Sequence, residues 1–215
     1  MIAGLRRRRR GSERGAILVE LALIGPVLMF LVLAIFEVGL MWRTTLTLSY
    51  SVRAGARVSS SVTNGPLSDH ATVAAVGSAI ASINGRATID WVVIYKVTSS
   101  TNTDPPAACI TAGAIAAGGS AGSFCNAYTD TKVAAILADP VGSRANFGAA
   151  SCSGKWDANW CPVTRITSQA AAGGPDHVGI AVSITYTSVT KLFGTTKTMT
   201  DHAVMRLEPI ANLGS

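Results

Sequence analysis

The sequence predicts an α+β protein: a long N-terminal transmembrane helix followed by an exported domain in which an antiparallel sheet packs on helices. Three observations carry that expectation. The 21 residues from Ala16 to Phe36 hold a single charge, Glu20. All four cysteines, Cys109, Cys125, Cys152 and Cys161, lie well beyond that stretch. Near the C-terminus Val178, Ile180, Val182, Ile184 and Tyr186 alternate with Gly179, Ala181, Ser183, Thr185 and Thr187, the period of two of a strand with one face in a core.

At the helical rise, residues Ala16 to Phe36 span about 31 Å, close to the hydrocarbon thickness of a bilayer. Six arginines, Arg6 to Arg10 and Arg14, stand against Glu13 in residues 1–15, which therefore hold +5 of the chain's net +6. The basicity is a tail rather than a binding face, which argues against nucleic acid and for membrane lipid as its partner. By the positive-inside rule the tail lies in the cytoplasm and the C-terminal domain outside it. Trp42 is placed as an interfacial anchor, and Glu37 ends the apolar run at the outer interface. A cleaved secretory signal fits poorly, since its apolar region runs about 7–15 residues. The organisation expected is a basic cytoplasmic leader (1–15), a transmembrane helix (16–42) and an exported α+β domain (43–215) with a cysteine-stapled insertion at about 99–177.

Beyond the membrane the helix should continue to about Ser60, with Trp42, Leu46, Tyr50, Ala54 and Val58 forming an apolar stripe able to pack on a sheet. Asn64-Gly65-Pro66 stops it. Ser68 to Asn84 reads as a second helix with Val73, Gly77, Ile80 and Asn84 on one side and Asn84-Gly85 as its C-cap. Thr88 to Thr98 is rich in β-branched and aromatic residues and reads as a strand. After the alternating strand, a hairpin over Lys191 to Thr196 leads into a last strand through Met199, Ala203, Met205 and Leu207. A short helix around Lys132 to Ala138 fits inside the insertion. Four cysteines in an oxidising compartment imply two bridges with three connectivities; loop closure favours the local pairs Cys109–Cys125 and Cys152–Cys161. No CxxC or CxxH spacing suggests zinc, and no cofactor is expected.

Catalytic signals are weak. Gly118-Gly119-Ser120-Ala121-Gly122 matches the G-x-S-x-G pattern, with Asp176-His177 and Asp201-His202 downstream, but that chemistry needs a strand before the serine and a helix after it. Gly148 to Lys155 fails as a phosphate loop, with Trp156 where a hydroxyl belongs. His70, His177 and His202 are too scattered to imply a metal site. Trp156 and Trp160 offer either a ligand platform or cover for a loop.

Glu20 is the informative residue. A carboxylate costs about 2.5–3.5 kcal/mol at the bilayer centre, so it is either functional or close enough to the interface to snorkel. Its surroundings point to the first reading. Glu13-Arg14-Gly15 through Glu20-Leu21-Ala22-Leu23, Phe36-Glu37-Val38-Gly39 and Arg53-Ala54-Gly55-Ala56-Arg57 resemble the TadE-like family, minor pseudopilins of tight-adherence (Flp-type) pilus machines. The C-terminal Ala203-Val204-Met205-Arg206-Leu207-Glu208-Pro209 is similar to that family's last strand, while residues from about 60 to 175 carry no such likeness. The resemblance implies a pilin-like exported domain and cleavage between Gly15 and Ala16 by a prepilin peptidase. It implies too that Glu20 sets assembly register by pairing with the new α-amine of a neighbouring subunit. The partners implied are other pilin or pseudopilin subunits, the peptidase and an inner-membrane secretion platform. Leu21 stands where an aromatic often follows the glutamate, which leaves the peptidase's identity open. The implied role is structural, not enzymatic. The alternative is a membrane-anchored ectodomain that keeps its N-terminus and has a binding or hydrolytic role.

Overall fold

A computed structural model describes residues 11–83, 85–98, 103–148 and 151–209, with side chains described from residue 15 onward. The arginines Arg6 to Arg10 and the capping residue Asn84 lie outside the described residues. Helix α1 (Gly11–Val62) is 52 residues long and runs through Pro26, a rod of about 78 Å. It is long and apolar enough to cross a membrane, and its most apolar window is wholly unburied. The chain reverses after Val62, with Thr63 in the left-handed region, into α2 (Ser68–Ala81). That helix ends at Ala81, three residues earlier than its sequence suggests, with Ser82 as its C-cap.

The α+β architecture is completed by one antiparallel sheet of order β2-β3-β1-β4-β5. Its long strands are β1 (Ala87–Val97), β4 (His177–Thr187) and β5 (Thr196–Arg206). The insertion adds α3 (Ala112–Ala117), the two-residue β2 (Gly119–Ser120), β3 (Cys125–Thr129) and α4 (Asp130–Ala138). Part of what the sequence presents as a loop is therefore the sheet's other edge, with Val93 of β1 opposite Ala127 of β3. Five residues between two turns are too few to show a period, which is why β3 escapes detection by pattern.

The alternation along β1 and β4 divides the core in two. Val92, Ile94, Val178, Ile180, Val182 and Ile184 point to the face covered by α1, α2 and α4. Val93, Tyr95 and Ala181 point to the other face, where they cluster with Cys125 and Ala127 of the neighbouring β3 and with Cys109. Gly179 leaves room for the Tyr95 ring: a Cβ there would stand 2.2 Å from its Cζ. Cys109 is bonded to Cys125 and Cys152 to Cys161. The first bridge closes a sequence separation of 16, a constraint on the unfolded chain of about 3 kcal/mol.

A buried polar cluster pins the insertion to α2. Asp69 and Arg165, both with fully buried side chains, meet at 2.6 Å. Asn126 and Tyr128 of β3 donate to Asp69 at 2.7 and 2.9 Å, and Arg165 lies 4.1 Å over the Trp160 ring. Trp160 is buried and Trp156 packs edge-on against Phe147. The two tryptophans therefore bury their own loop.

Candidate functional site

The feature that sets this molecule apart is the stem. From Ala16 to Phe36 every residue of α1 is exposed except Gly25 and Ala34, which are half-buried. An apolar surface of that length requires lipid or other helices around it. Glu20 lies on this bare part, exposed and without an ion pair among the described residues. The Gly15–Ala16 bond falls within α1, one helical turn from its start.

At Glu37 the environment changes within one residue. Its side chain is fully buried and its carboxylate is gripped by the end of β4 and the segment that follows it. Tyr186 and Ser188 donate hydroxyl hydrogen bonds to it at 3.1 and 2.8 Å. The amides of Val189 and Thr190 donate at 3.1 and 2.8 Å, and the Thr190 hydroxyl at 2.9 Å. Five donors on one carboxylate form a clasp between the end of the apolar run and the α+β domain. Glu37 is thus not the free interfacial residue its position suggests. Any folded-state partner lies about 150 residues away in sequence, so no local pattern announces it.

From there α1 is bound on one side only. Glu37, Thr44, Leu48, Val52, Ala56 and Ser59 are buried, at the spacing of one helical face. The expected stripe is largely on the opposite side. Trp42, Leu46 and Tyr50 are 68%, 57% and 69% exposed, and only Ala54 and Val58 are half-buried. The reason is geometric: a step of four residues overshoots the helical repeat by about 40°. A row drawn through 42, 46, 50, 54 and 58 therefore winds from the outer face towards the inner one. Gly55 sits on the inner face, where a Cβ would meet Val76 of α2 at 2.5 Å. This gives the small residues at 54–56 a packing reason.

The remaining candidates are engaged elsewhere. Ser120 ends β2, with helix α3 before it and a single 3₁₀ turn at Ala121–Ser123 after it, so the strand–serine–helix order is missing. Asp176 pairs with Lys96 at 2.8 Å, Asp201 accepts from Ser49 of α1, and His202 lies 3.4 Å from Asp104. Among the described residues no group of three His, Cys, Asp or Glu side chains is placed to hold a metal.

No curated protein and no solved structure matches the chain. Residues 15–57, from Gly15 near the start of the stem to Arg57 just beyond the Gly55 contact, match the model of the family described as TadE-like protein.

Proposed function

We propose that the chain is a minor pseudopilin, a non-enzymatic structural subunit that helps assemble or anchor a tight-adherence-type pilus. The TadE-like match supports a part in the assembly of such a pilus. The observation that carries the finer reading is where the match lies: it begins at Gly15 and covers a helix whose apolar half is left bare by its own domain. In this reading residues 1–15 are a cytoplasmic leader, 16–42 cross the inner membrane, and 43–215 stand outside it. A prepilin peptidase removes the leader after Gly15. The new amine of Ala16 then pairs with Glu20 of a neighbouring pilin or pseudopilin subunit on the secretion platform.

Two desolvated charges are each costly alone and tolerable together. Losing one partner costs about 3–5 kcal/mol, so Glu20→Ala should abolish surface filaments rather than thin them. The exported domain does not touch Glu20, so the variant should accumulate in the membrane and unfold at the wild-type midpoint. Electron microscopy of filaments beside a membrane immunoblot checks both halves. Wild-type filament numbers in Glu20→Ala would contradict the pairing.

A further inference from the structure

The link between β4 and β5, residues 188–195, ends up beside the membrane stem, and its surface combines exposed apolar side chains with a lysine and no acid. Strand β5 runs alongside α1 in the same direction. The Thr45 hydroxyl donates to Met199 Sδ at 3.5 Å, and the Ser60 hydroxyl donates to the Arg206 carbonyl at 2.6 Å. Between these contacts the helix climbs about 22 Å and the strand about 23 Å, so the two keep step. Followed back towards the membrane, the strand leads into the link, which is held at Glu37, one residue past the apolar run. The tip of the link is therefore level with the last turns of that run.

Its chemistry suits that level. Val189 is 46% and Phe193 59% exposed, with Leu192 half-buried between them. Lys191 and Lys197 are exposed, and no Asp or Glu occurs between Tyr186 and Asp201. Lys191 holds a left-handed backbone (φ 60°), a conformation uncommon outside glycine. Its amide donates to the Ser188 hydroxyl at 3.2 Å, and Ser188 itself holds Glu37. The turn is thus fixed in shape, with Phe193 turned outward.

We propose that this link is a second membrane contact: its apolar tip enters the headgroup region of the outer leaflet and its lysines bind anionic headgroups. Glu37 is the positioning residue that sets its depth. Each lysine near an anionic surface adds electrostatic attraction, and a buried aromatic ring adds its apolar area. Together with α1 this makes a two-point seat, which fixes the height of the domain and its rotation about the stem. The inference rests on the membrane-spanning reading of α1 and on nothing else in the proposed function.

The test uses the full-length chain reconstituted in vesicles of phosphatidylethanolamine and phosphatidylglycerol. The photoreactive residue p-benzoylphenylalanine is placed at Phe193, at Leu28 in the stem, or at Val141, an exposed position near Ser143, which meets His70 at the start of α2, the end of the domain away from the stem. Lipid adducts at 193 should exceed those at 141 several-fold and rise with the phosphatidylglycerol fraction. Lys191→Glu with Lys197→Glu should lower the 193 adduct several-fold. A protein adduct at 193, a lipid yield no greater than at 141, or indifference to the charge reversal overturns the proposal. Labelling at 28 separates the two failures. With 28 labelled and 193 silent, the second contact falls and the span stands; with both silent, both fall.

Discussion

Glu37→Ala should destabilise the α+β domain by about 3 kcal/mol and loosen the β4–β5 link from the stem. The figure follows from the partners. Hydrogen bonds to a charged group contribute about 1.5–3 kcal/mol each, but the donors on Ser188, Val189 and Thr190 are only partly buried. Water replaces the carboxylate for those groups, whereas Tyr186 is buried and is left facing a cavity. Glu37→Gln keeps the shape but turns an amide donor towards other donors, so it should recover less than half of the loss. Hydrogen exchange in detergent micelles checks the mechanism beyond stability alone. The amides of Val189 and Thr190 should lose more protection in Glu37→Ala than those of the β1–β4 ladder, whose exchange rises only with the loss of global stability. Unchanged protection at 189 and 190 would mean that the clasp does not hold the link.

The second large effect is expected at Arg165. Arg165→Met leaves Asp69 buried without its cation, a loss of about 3–5 kcal/mol read from urea unfolding. Asp69→Asn in the same chain should return part of that loss, because the remaining amide still accepts from Asn126 and Tyr128. The single variant should also respond to pH. Burial, and then the charge of Asp69, push the Asp157 carboxyl up to about 6 from 3.8. Arg165 opposes that shift, so its removal raises the group further. A carboxyl that holds its proton more tightly when folded weighs against the native state above its folded pKa and is relieved as pH falls towards the unfolded value. The deficit of Arg165→Met should therefore be smaller at pH 5 than at pH 7. A deficit that is equal at both would show that Arg165 is not neutralising this pocket.

How far such features are legible in the sequence depends on the range of the interaction that makes them. The apolar run from Ala16 to Phe36, the alternation of Val178 to Tyr186 and the helix around Lys132 are local patterns, and the structure has a helix or strand at each. The cysteine pairs are the nearest in sequence, where chain entropy favours closure. The stripe through Trp42 misleads because the same apolar residues satisfy a four-residue step whether or not they face the sheet; hydroxyls at Thr44, Ser51 and Ser59 occupy the buried side instead. Two of those hydroxyls are satisfied by their own helix, Thr44 donating to the Leu40 carbonyl at 3.0 Å and Ser51 to that of Leu48 at 2.7 Å, while that of Ser59 is buried with no hydrogen-bond partner among the described residues. Glu37 and the Asp69–Arg165 pair are invisible for a different reason. Each charge is compensated only by residues brought from far along the chain, and a lone acid in sequence looks like surface.

The stem is what joins fold to function in this account. Its upper half is fastened to the sheet by Glu37, Leu48 and Val52, and its lower half is left free for a membrane and for neighbouring helices. That division suits the proposed role of a subunit handed from a bilayer to an assembly, and the proposed pairing of an α-amine with Glu20 calls for a mature chain that begins at Ala16. The N-terminus of the protein recovered from membranes tests this most directly, by intact mass with peptide mapping. The account predicts a chain beginning at Ala16, with the two disulfides intact. A mature protein that still carries Arg6 to Arg10 would contradict it, and would make α1 a plain anchor for the domain beyond.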